Sequence, residues 1–449
     1  MAIISISDSQ KNSANGVLVA DASSKIPAKD GSQITILNAT NVSSGTIATA
    51  RLDTGLTANK IVLVDGSGNL PVVDGSQLTG IVSLTLSASD PTISTNPSGG
   101  LGTEWNNSTS GEMYICTDAT AGANVWTNVG VGTDNIAPVP MWQGTQYGYS
   151  AGGFTQPPAY QILNRIERFS FTTDGNAVDV GDVAKTNGSP GGSAAHGGAS
   201  SKTHGYIAGG TGGANSSPAW GYFTDIEKWA FASATTNATK IGDRFGVGQC
   251  VGHMSDTHGY CSSDGTGPAP SNSTIDKYTF AADNNATDVG GLIYPRYGVT
   301  GTSSTTHGYT CGGSDGPGNK YNYIQKFSFA SDGDATDSGN LVDTHYEGAG
   351  NGSETHSYIS GGYNSSAKVN VIQKFSTAAD SNATDVADMT QAMWGGRGTS
   401  STTYGYMIGG RLNGGYTDRI EKFNFATELN ATDVGNLAQQ TQASSGVSY

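Results

Sequence analysis

The sequence predicts an all-β chain whose last two-thirds, residues 141–449, is six tandem units of four short strands. Three observations predict it. Gly is abundant (65 of 449 residues) and stands with Ser, Thr and Asn in clusters that make turns, while Val, Ile, Thr and Tyr between them favour strands. The apolar share is 35%, below the roughly 45–50% of an average domain, yet 20 Tyr, 12 Phe and 6 Trp supply large side chains to bury. Finally, a short segment ending in Gly-Gly returns about every 50 residues.

The repeat can be read unit by unit. Tyr147-Gly-Tyr-Ser-Ala-Gly-Gly153 recurs as His204-Gly-Tyr-Ile-Ala-Gly-Gly210, His307-Gly-Tyr-Thr-Cys-Gly-Gly313, His356-Ser-Tyr-Ile-Ser-Gly-Gly362 and Tyr404-Gly-Tyr-Met-Ile-Gly-Gly410. His258-Gly-Tyr-Cys-Ser-Ser-Asp264 keeps the pattern without the double Gly. The central tyrosines, Tyr149, Tyr206, Tyr260, Tyr309, Tyr358 and Tyr406, are 57, 54, 49, 49 and 48 residues apart. A strand such as Ile166-Glu-Arg-Phe-Ser-Phe171 or Ile420-Glu-Lys-Phe-Asn-Phe425 follows each, then an outer element such as Ala286-Thr-Asp-Val-Gly290. A Gly-rich element such as Tyr297-Gly-Val-Thr-Gly-Thr-Ser303 leads into the next unit. Four strands per period near 50 is the signature of a β-propeller blade. No Gly-rich strand precedes the first unit, and Ala443-Ser-Ser-Gly-Val-Ser-Tyr449 follows the last outer strand without a Gly-Gly partner. The C-terminal tail is therefore expected to complete the first unit beside Tyr147–Gly153, which removes open sheet edges.

These units resemble the kelch repeat, in the Gly-Gly closing the second strand, the aromatic in the third and the apolar outer strand. They depart from it in lacking the usual Trp of the outer strand. The resemblance implies a six-bladed kelch-like propeller.

The first 140 residues are organised differently. In residues 1–85, Val17-Leu-Val-Ala-Asp21 recurs as Ile61-Val-Leu-Val-Asp65, and Ile26-Pro-Ala-Lys-Asp-Gly-Ser-Gln33 as Leu70-Pro-Val-Val-Asp-Gly-Ser-Gln77, both at an offset of 44. Such extended stretches with tight turns carry too few large residues for a core of their own, and winding with further copies would supply one. With Asn41–Leu52 and Asp74–Gly80, this region resembles the N-terminal and shaft regions of bacteriophage tail fibres. Residues 86–133, with Glu104-Trp105, Gly111-Glu-Met-Tyr-Ile-Cys-Thr-Asp118 and Asn124-Val-Trp-Thr-Asn-Val-Gly130, resemble a small β-module of phage tail proteins. Residues 134–140 read as a linker. The resemblance implies a virion protein, attached to other tail proteins and trimerised through its N-terminal region.

A net charge of −15 argues against nucleic acid and against an anionic membrane surface as partners. No apolar run approaches the roughly 20 residues that span a bilayer, and the start lacks the basic and apolar regions of a secretory leader. Cys116, Cys250, Cys261 and Cys311 form no CxxC pair and read as buried thiols.

No cofactor is expected, with Ca²⁺ the one metal option. Asp174/Asn176/Asp179, Asp283/Asn285/Asp288, Asp332/Asp334/Asp337 and Asp380/Asn382/Asp385 offer oxygen ligands at short spacing, or equally Asx turns. Lys240 and Glu428-Leu-Asn430 break that pattern in two units. His204, His258, His307 and His356 hold one slot per unit, too dispersed around a ring for one zinc ion, and suit packing at a strand start. No Gly-x-Ser-x-Gly, HExxH or P-loop motif occurs, so no enzyme is expected. Carboxylate pairs need not be near in sequence; Glu347 and Glu354 are the rare acids on which a polysaccharide-degrading alternative would rest.

Binding is easier to place. In a four-stranded antiparallel unit the 2–3 and 4–1 loops share a face, and function concentrates on loops held by a rigid scaffold. The long 2–3 loops carry Tyr160, Trp220, Tyr222, Tyr321, Tyr323, Arg411 and Tyr416, suited either to stacking on sugar rings or to covering neighbouring loops. Arg244, Arg296 and Arg397, each before an inner strand, are candidates for a lid on the central channel. The expectation is a tail fibre or adsorption appendage on the virion that binds a host surface glycan or protein. A purely structural tail or capsid decoration is the alternative.

Overall fold

In the computed structural model, residues 84–129, 140, 142–156, 161–184, 193–212, 221–233, 237–246, 248–265, 272–316 and 319–449 are described. The tandem N-terminal repeat expected in 1–85 lies outside them, apart from its last two residues. So does the linker 134–140, apart from Pro140. All secondary structure among the described residues is β.

Residues 84–129 form one four-stranded sheet. Leu84–Ser87 runs parallel to Glu104–Asn107, which pairs antiparallel with Met113–Asp118, and that in turn with Val125–Asn128. Alternation buries Tyr114 and Cys116 together with Trp126. Trp105 meets Trp126 edge-on, ring centres 5.8 Å apart, the geometry favoured by the aromatic quadrupole.

Among the described residues six larger sheets follow, each built on an antiparallel run of inner, second, third and outer strands, beside two short two-stranded sheets. Sheet I takes its inner strand from the C-terminus: Ser445–Ser448 pairs with Tyr147–Ala151, then Arg165–Ser170 and Val178–Asp182. Sheet II is Gly197–Ser200, His204–Ala208, Asp225–Ala230 and Thr239–Asp243. Sheet III is Gln249–Met254, His258–Gly265, Asn272–Thr279 and Thr287–Gly291. Sheet IV is Thr300–Ser303, His307–Cys311, Asn319–Ser328 and Thr336–His345. Sheet V is Ala349–Gly352, His356–Ser360, Val371–Ser376 and Thr384–Asp388. Sheet VI is Arg397–Ser401, Tyr404–Leu412, Gly415–Asn424 and Thr432–Asn436.

The Gly-Gly pairs are explained by backbone conformation. Gly152/Gly153, Gly209/Gly210, Gly312/Gly313, Gly361/Gly362 and Gly409/Gly410 all have φ between +61° and +122°, where a Cβ would be strained. In sheet III, where Ser263 and Asp264 replace the pair, the second strand continues to Gly265 through a register shift between Ser262 and Asp264.

Each inner strand also contributes one glycine to a central ring. A Cβ on Gly446 would lie 1.9 Å from the carbonyl oxygen of Gly398, and one on Gly398 1.9 Å from that of Gly350. Gly350 bears likewise on Gly301, Gly301 on Gly252, Gly252 on Gly198, and Gly198 back on Gly446, at 2.1–2.9 Å. The inner strands thus approach in cyclic order more closely than any side chain would allow.

Aromatic packing repeats the same order farther out. The second-strand tyrosine of each sheet is buried against the third-strand aromatic of the next: Tyr149 on Trp229, Tyr206 on Tyr278, Tyr260 on Phe327, Tyr309 on Phe375, Tyr358 on Phe423 and Tyr406 on Phe169. Third-strand polar side chains add a further set of links. Glu227, Asp276, Gln325, Gln373, Glu421 and Glu167 accept the backbone N–H of Ala184, Gly246, Tyr294, Val342, Thr390 and Ala438 in the preceding sheet at 2.6–3.2 Å. Buried donors are satisfied by these bonds, which set the register between sheets.

The segment leading into sheet I has its own role. Gln143–Gly144 pairs parallel with Ser400–Ser401 of sheet VI. Trp142, 6% exposed, packs where Gly352 has no side chain; a Cβ there would stand 2.8 Å from the indole.

Candidate functional site: a loop face and the mouth of a channel

The inner strands enclose a narrow cavity of about 80 Å³, lined by Gly, Ser and Thr together with Val251, Met254, Val299 and Val447. Trp142 lines it at the end where the inner strands finish. Arg397 lines the other end, and a separate small cavity there is lined by Arg397 and Glu347. Glu347 takes φ +50° three residues before its ring glycine, where sheets IV and VI have Gly298 and Gly395 and sheets I and II have Ala443 and Ala195. Burial raises the Glu347 carboxyl, and the Arg397 guanidinium opposes that shift. Glu354 sits beyond the opposite end of the inner strand Ala349–Gly352, so the two acids do not face one another across a site.

Arg244 is not part of a lid. Its side chain is fully buried, with Nε donating to Asp276 Oδ2 at 2.8 Å and Nη1 to the Gly248 carbonyl at 3.2 Å. Arg296 is likewise buried, and its guanidinium lies flat over Tyr321, 3.2 Å from the ring centre. Tyr321 stacks toward Tyr323 and Tyr323 on Tyr294, with ring centres 5.8 and 4.6 Å apart. Asp315 closes this column, accepting the Tyr321 hydroxyl at 2.6 Å, which holds its carboxyl below the usual range.

The 2–3 loops are ordered into hairpins where they are described. Phe154–Thr155 pairs with Gln161–Ile162, Thr211–Gly212 with Gly221–Tyr222, and Ser314–Gly316 with the start of the third strand of sheet IV. In sheet VI both strands simply extend, so that Arg411 pairs with Tyr416. Tyr160 and Trp220 lie outside the described residues. Tyr222 is 39% exposed and pairs with Thr211. Tyr416 is buried, not displayed, and forms the floor beneath Arg411, whose guanidinium is 5.7 Å from its ring centre.

The structure brings together aromatics that the 2–3 loops alone did not reveal. Tyr297, Tyr346 and Trp394 occupy one slot, four residues before the ring glycine, in consecutive sheets IV, V and VI. Tyr297 meets Tyr346 at 5.7 Å and Tyr346 meets Trp394 at 6.0 Å. Gly298 permits this, since a Cβ there would run into the Tyr346 ring at 2.0 Å. Tyr363, from the 2–3 loop of sheet V, packs edge-on against Trp394. Arg411 lies 5.7 Å from the Trp394 ring centre, and Lys320 Nζ 4.8 Å from that of Tyr363. All four aromatics are partly exposed. An open cleft of about 540 Å³, lined by Gln391, Ala392, Leu412, Asn413, Gly414 and Tyr416, adjoins Arg411. The recurrence of an aromatic at one slot in three units was the sequence signal for this arc.

The acidic repeat has structural partners. Asp283, Asp332, Asp380, Glu428 and Asp174 take ion pairs from Lys228, Lys277, Lys326, Lys374 and Lys422 of the preceding sheet. Two residues after each acid, Asn176, Asn285, Asp334, Asn382 or Asn430 accepts a backbone N–H from that same sheet at 2.8–3.0 Å, and Asn237 does so in sheet II. Glu428 and Asn430 thus fill the two roles at the same spacing, with Glu in place of Asp. Lys240 pairs with Asp225 and Asp243. Among the described residues, no three His, Cys, Asp or Glu side chains gather where one ion would reach them. The repeated histidines each hold a threonine hydroxyl through Nδ1 at 2.8 Å and rest beside the tyrosine two residues on. Burial depresses their pKa values, with the neighbouring lysine adding to the shift.

No family model matches this chain, and no curated protein matches it. Solved structures do; one is the structure of YjhT, 13% identical, with a TM-score of 0.49 over 66% of this chain and 98% of that one. No function is carried across from it.

Proposed function

We propose that this chain is a phage-type virion protein whose loop face binds a glycan on the bacterial surface. In this reading the six sheets are the blades of a kelch-like propeller, supported by the cyclic order of the inner glycines and of the tyrosine–aromatic contacts. The N-terminal region attaches the protein to other tail components and trimerises it, on the strength of the fibre-like motifs in the sequence.

The observation that carries the binding role is the arc Tyr297–Tyr346–Trp394 with Tyr363 and Arg411 beside it. Aromatic faces stack on the apolar side of a sugar ring, while Arg, Asn and Gln reach its hydroxyls. The arc is confined to three sheets, so it is not demanded by the fold.

The full chain applied to an array of bacterial surface glycans is expected to bind a restricted set, and Trp394→Ala to lose that binding with its melting temperature unchanged. A wild-type chain that binds no glycan and no host cell would leave the decoration role. Release of reducing ends from a bound polysaccharide would point to the depolymerase.

A further inference from the structure

We propose that the loop face selects acidic saccharides, with Lys320, Lys368 and Arg411 receiving the oxyanions of sugars stacked on Tyr363 and Trp394. This deepens the glycan reading and rests on it.

Elsewhere in the molecule most cations are paired. Around the sheets, Lys228, Lys277, Lys326, Lys374 and Lys422 each have a carboxylate of the next sheet within 4.0 Å. Lys240, Arg244, Arg296 and Arg419 are paired too. Arg168, Lys202 and Arg397 stand without a carboxylate of the described residues within 4.0 Å, and the loop face adds three more cations in that state. Among the described residues, no carboxylate comes within 4.0 Å of Lys320, Lys368 or Arg411. In a chain with 37 acidic and 22 basic residues, cations left this way are placed against the average.

Their contacts hold them without neutralising them. Lys368 Nζ donates to the Leu412 carbonyl at 2.5 Å, bridging sheets V and VI. Arg411 lies against Trp394 and Tyr416, and Lys320 over Tyr363, so ring faces orient both while their N–H donors stay available. Lys368 and Arg411 are close enough for the field of Arg411 to add to the burial that already disfavours charge on Lys368. Two adjoining cations with no acid between them are stabilised by an anion. Three acids on this face are engaged elsewhere: Asp315 with Arg296 and Tyr321, Asp343 with Asn364 and Thr344, Glu347 with Gln442, while Asp418 of the sheet VI loop does not come within 4.0 Å of any of the three cations. The cleft of about 540 Å³ next to Arg411 is within the range of small-ligand sites.

The overall charge of −15 sharpens the expectation. A long-range field of that sign repels polyanions, so recognition must come from short-range pairing with ring stacking, and a bare polyanion should not suffice.

The test uses the full chain with polygalacturonate, alginate and hyaluronate, each beside its carboxyl-reduced form, and polyglutamate as a charged chain without sugar rings. At least one acidic polymer is expected to bind about tenfold or more tighter than its reduced form. Lys368→Gln with Arg411→Gln should remove that preference, Trp394→Ala should weaken both forms, and polyglutamate should not compete. Equal affinity for acidic and reduced forms, a preference that survives the double substitution, or competition by polyglutamate would each overturn the acidic specificity. If glycan arrays give neutral ligands lost in Trp394→Ala while no acidic polymer binds, this inference falls and the glycan reading stands. If nothing binds in either experiment, both fall.

Discussion

The rim of the six sheets and their loop face use the same side chains in opposite circumstances. At the rim, lysine, aspartate, asparagine and glycine recur in register, and each meets its partner in the neighbouring sheet. On the loop face, Tyr346, Trp394, Lys320, Lys368 and Arg411 belong to sheets IV, V and VI, meet rings and carbonyls, and among the described residues pair with no acid of the rim kind. What recurs in every sheet solves a packing problem that every sheet has. What occurs in half of them is not required by that packing, and the proposed glycan binding is assigned to it.

Substitutions can break that contrast, the largest effect coming from the ring of glycines. Gly398→Ala puts a methyl 1.9 Å from the Gly350 carbonyl oxygen, where no flexible side chain can yield. A loss of about 3 kcal/mol or more, or failure to fold, is expected by thermal melting. Gly414→Ala, which meets nothing within 4 Å, should stay within about 0.5 kcal/mol of the parent. Equal melting of the two variants would mean that the inner strands are not fixed by this approach.

An intermediate effect is expected at the third-strand links. Burial pushes the Glu227 carboxyl up to about 7, with Asp225 reinforcing it and the Ala184 N–H and Lys240 opposing. The folded protein then holds a proton that the unfolded chain releases near pH 4.5, so this group's contribution is full below that pH and is lost as pH rises through 7. Glu167 behaves alike, also near 7. Sheets IV and V already use the neutral Gln325 and Gln373 for this bond. Glu227→Gln should therefore raise stability at pH 8 by about 1–3 kcal/mol and flatten the decline between pH 5 and 8. A variant less stable than the parent at pH 8 would show that the charged form is the one the fold prefers. His196, His253 and His345, whose burial depresses them to about 4, act in the other direction and cost stability as pH falls below 6.5.

The smallest effect belongs to a single rim ion pair. Lys326→Ala removes the partner of Asp380, a half-exposed contact worth about 0.2–1 kcal/mol that salt should weaken further. It should leave glycan binding untouched. Loss of binding in this variant would erase the distinction between rim and face.

Much of the sheet pattern was legible because it is local. The Gly-Gly positions, the alternation around each central tyrosine and the unpartnered strand near Ala443–Tyr449 follow from backbone preference and residue spacing. That strand forms as Ser445–Ser448, beside Tyr147–Ala151. The candidate site was legible in part. Tyr321, Tyr323 and Arg411 were marked by lying on long 2–3 loops, but that criterion also marked Tyr416, which is buried. It passed over Tyr346 and Trp394, which lie in short 4–1 segments.

The sequence by itself determined that this is a β protein of repeated four-stranded units, because turn chemistry and strand periodicity act over a few residues. It also determined which positions must lack a side chain. Tertiary structure alone decided who meets whom across sheets: Asp174 with Lys422, Arg244 with Asp276, and Tyr346 with Trp394. Those partners lie from about 30 to nearly 250 residues apart in the chain. No local preference specifies them; they are fixed only when neighbouring sheets pack and the buried donors, charges and rings must each find a partner.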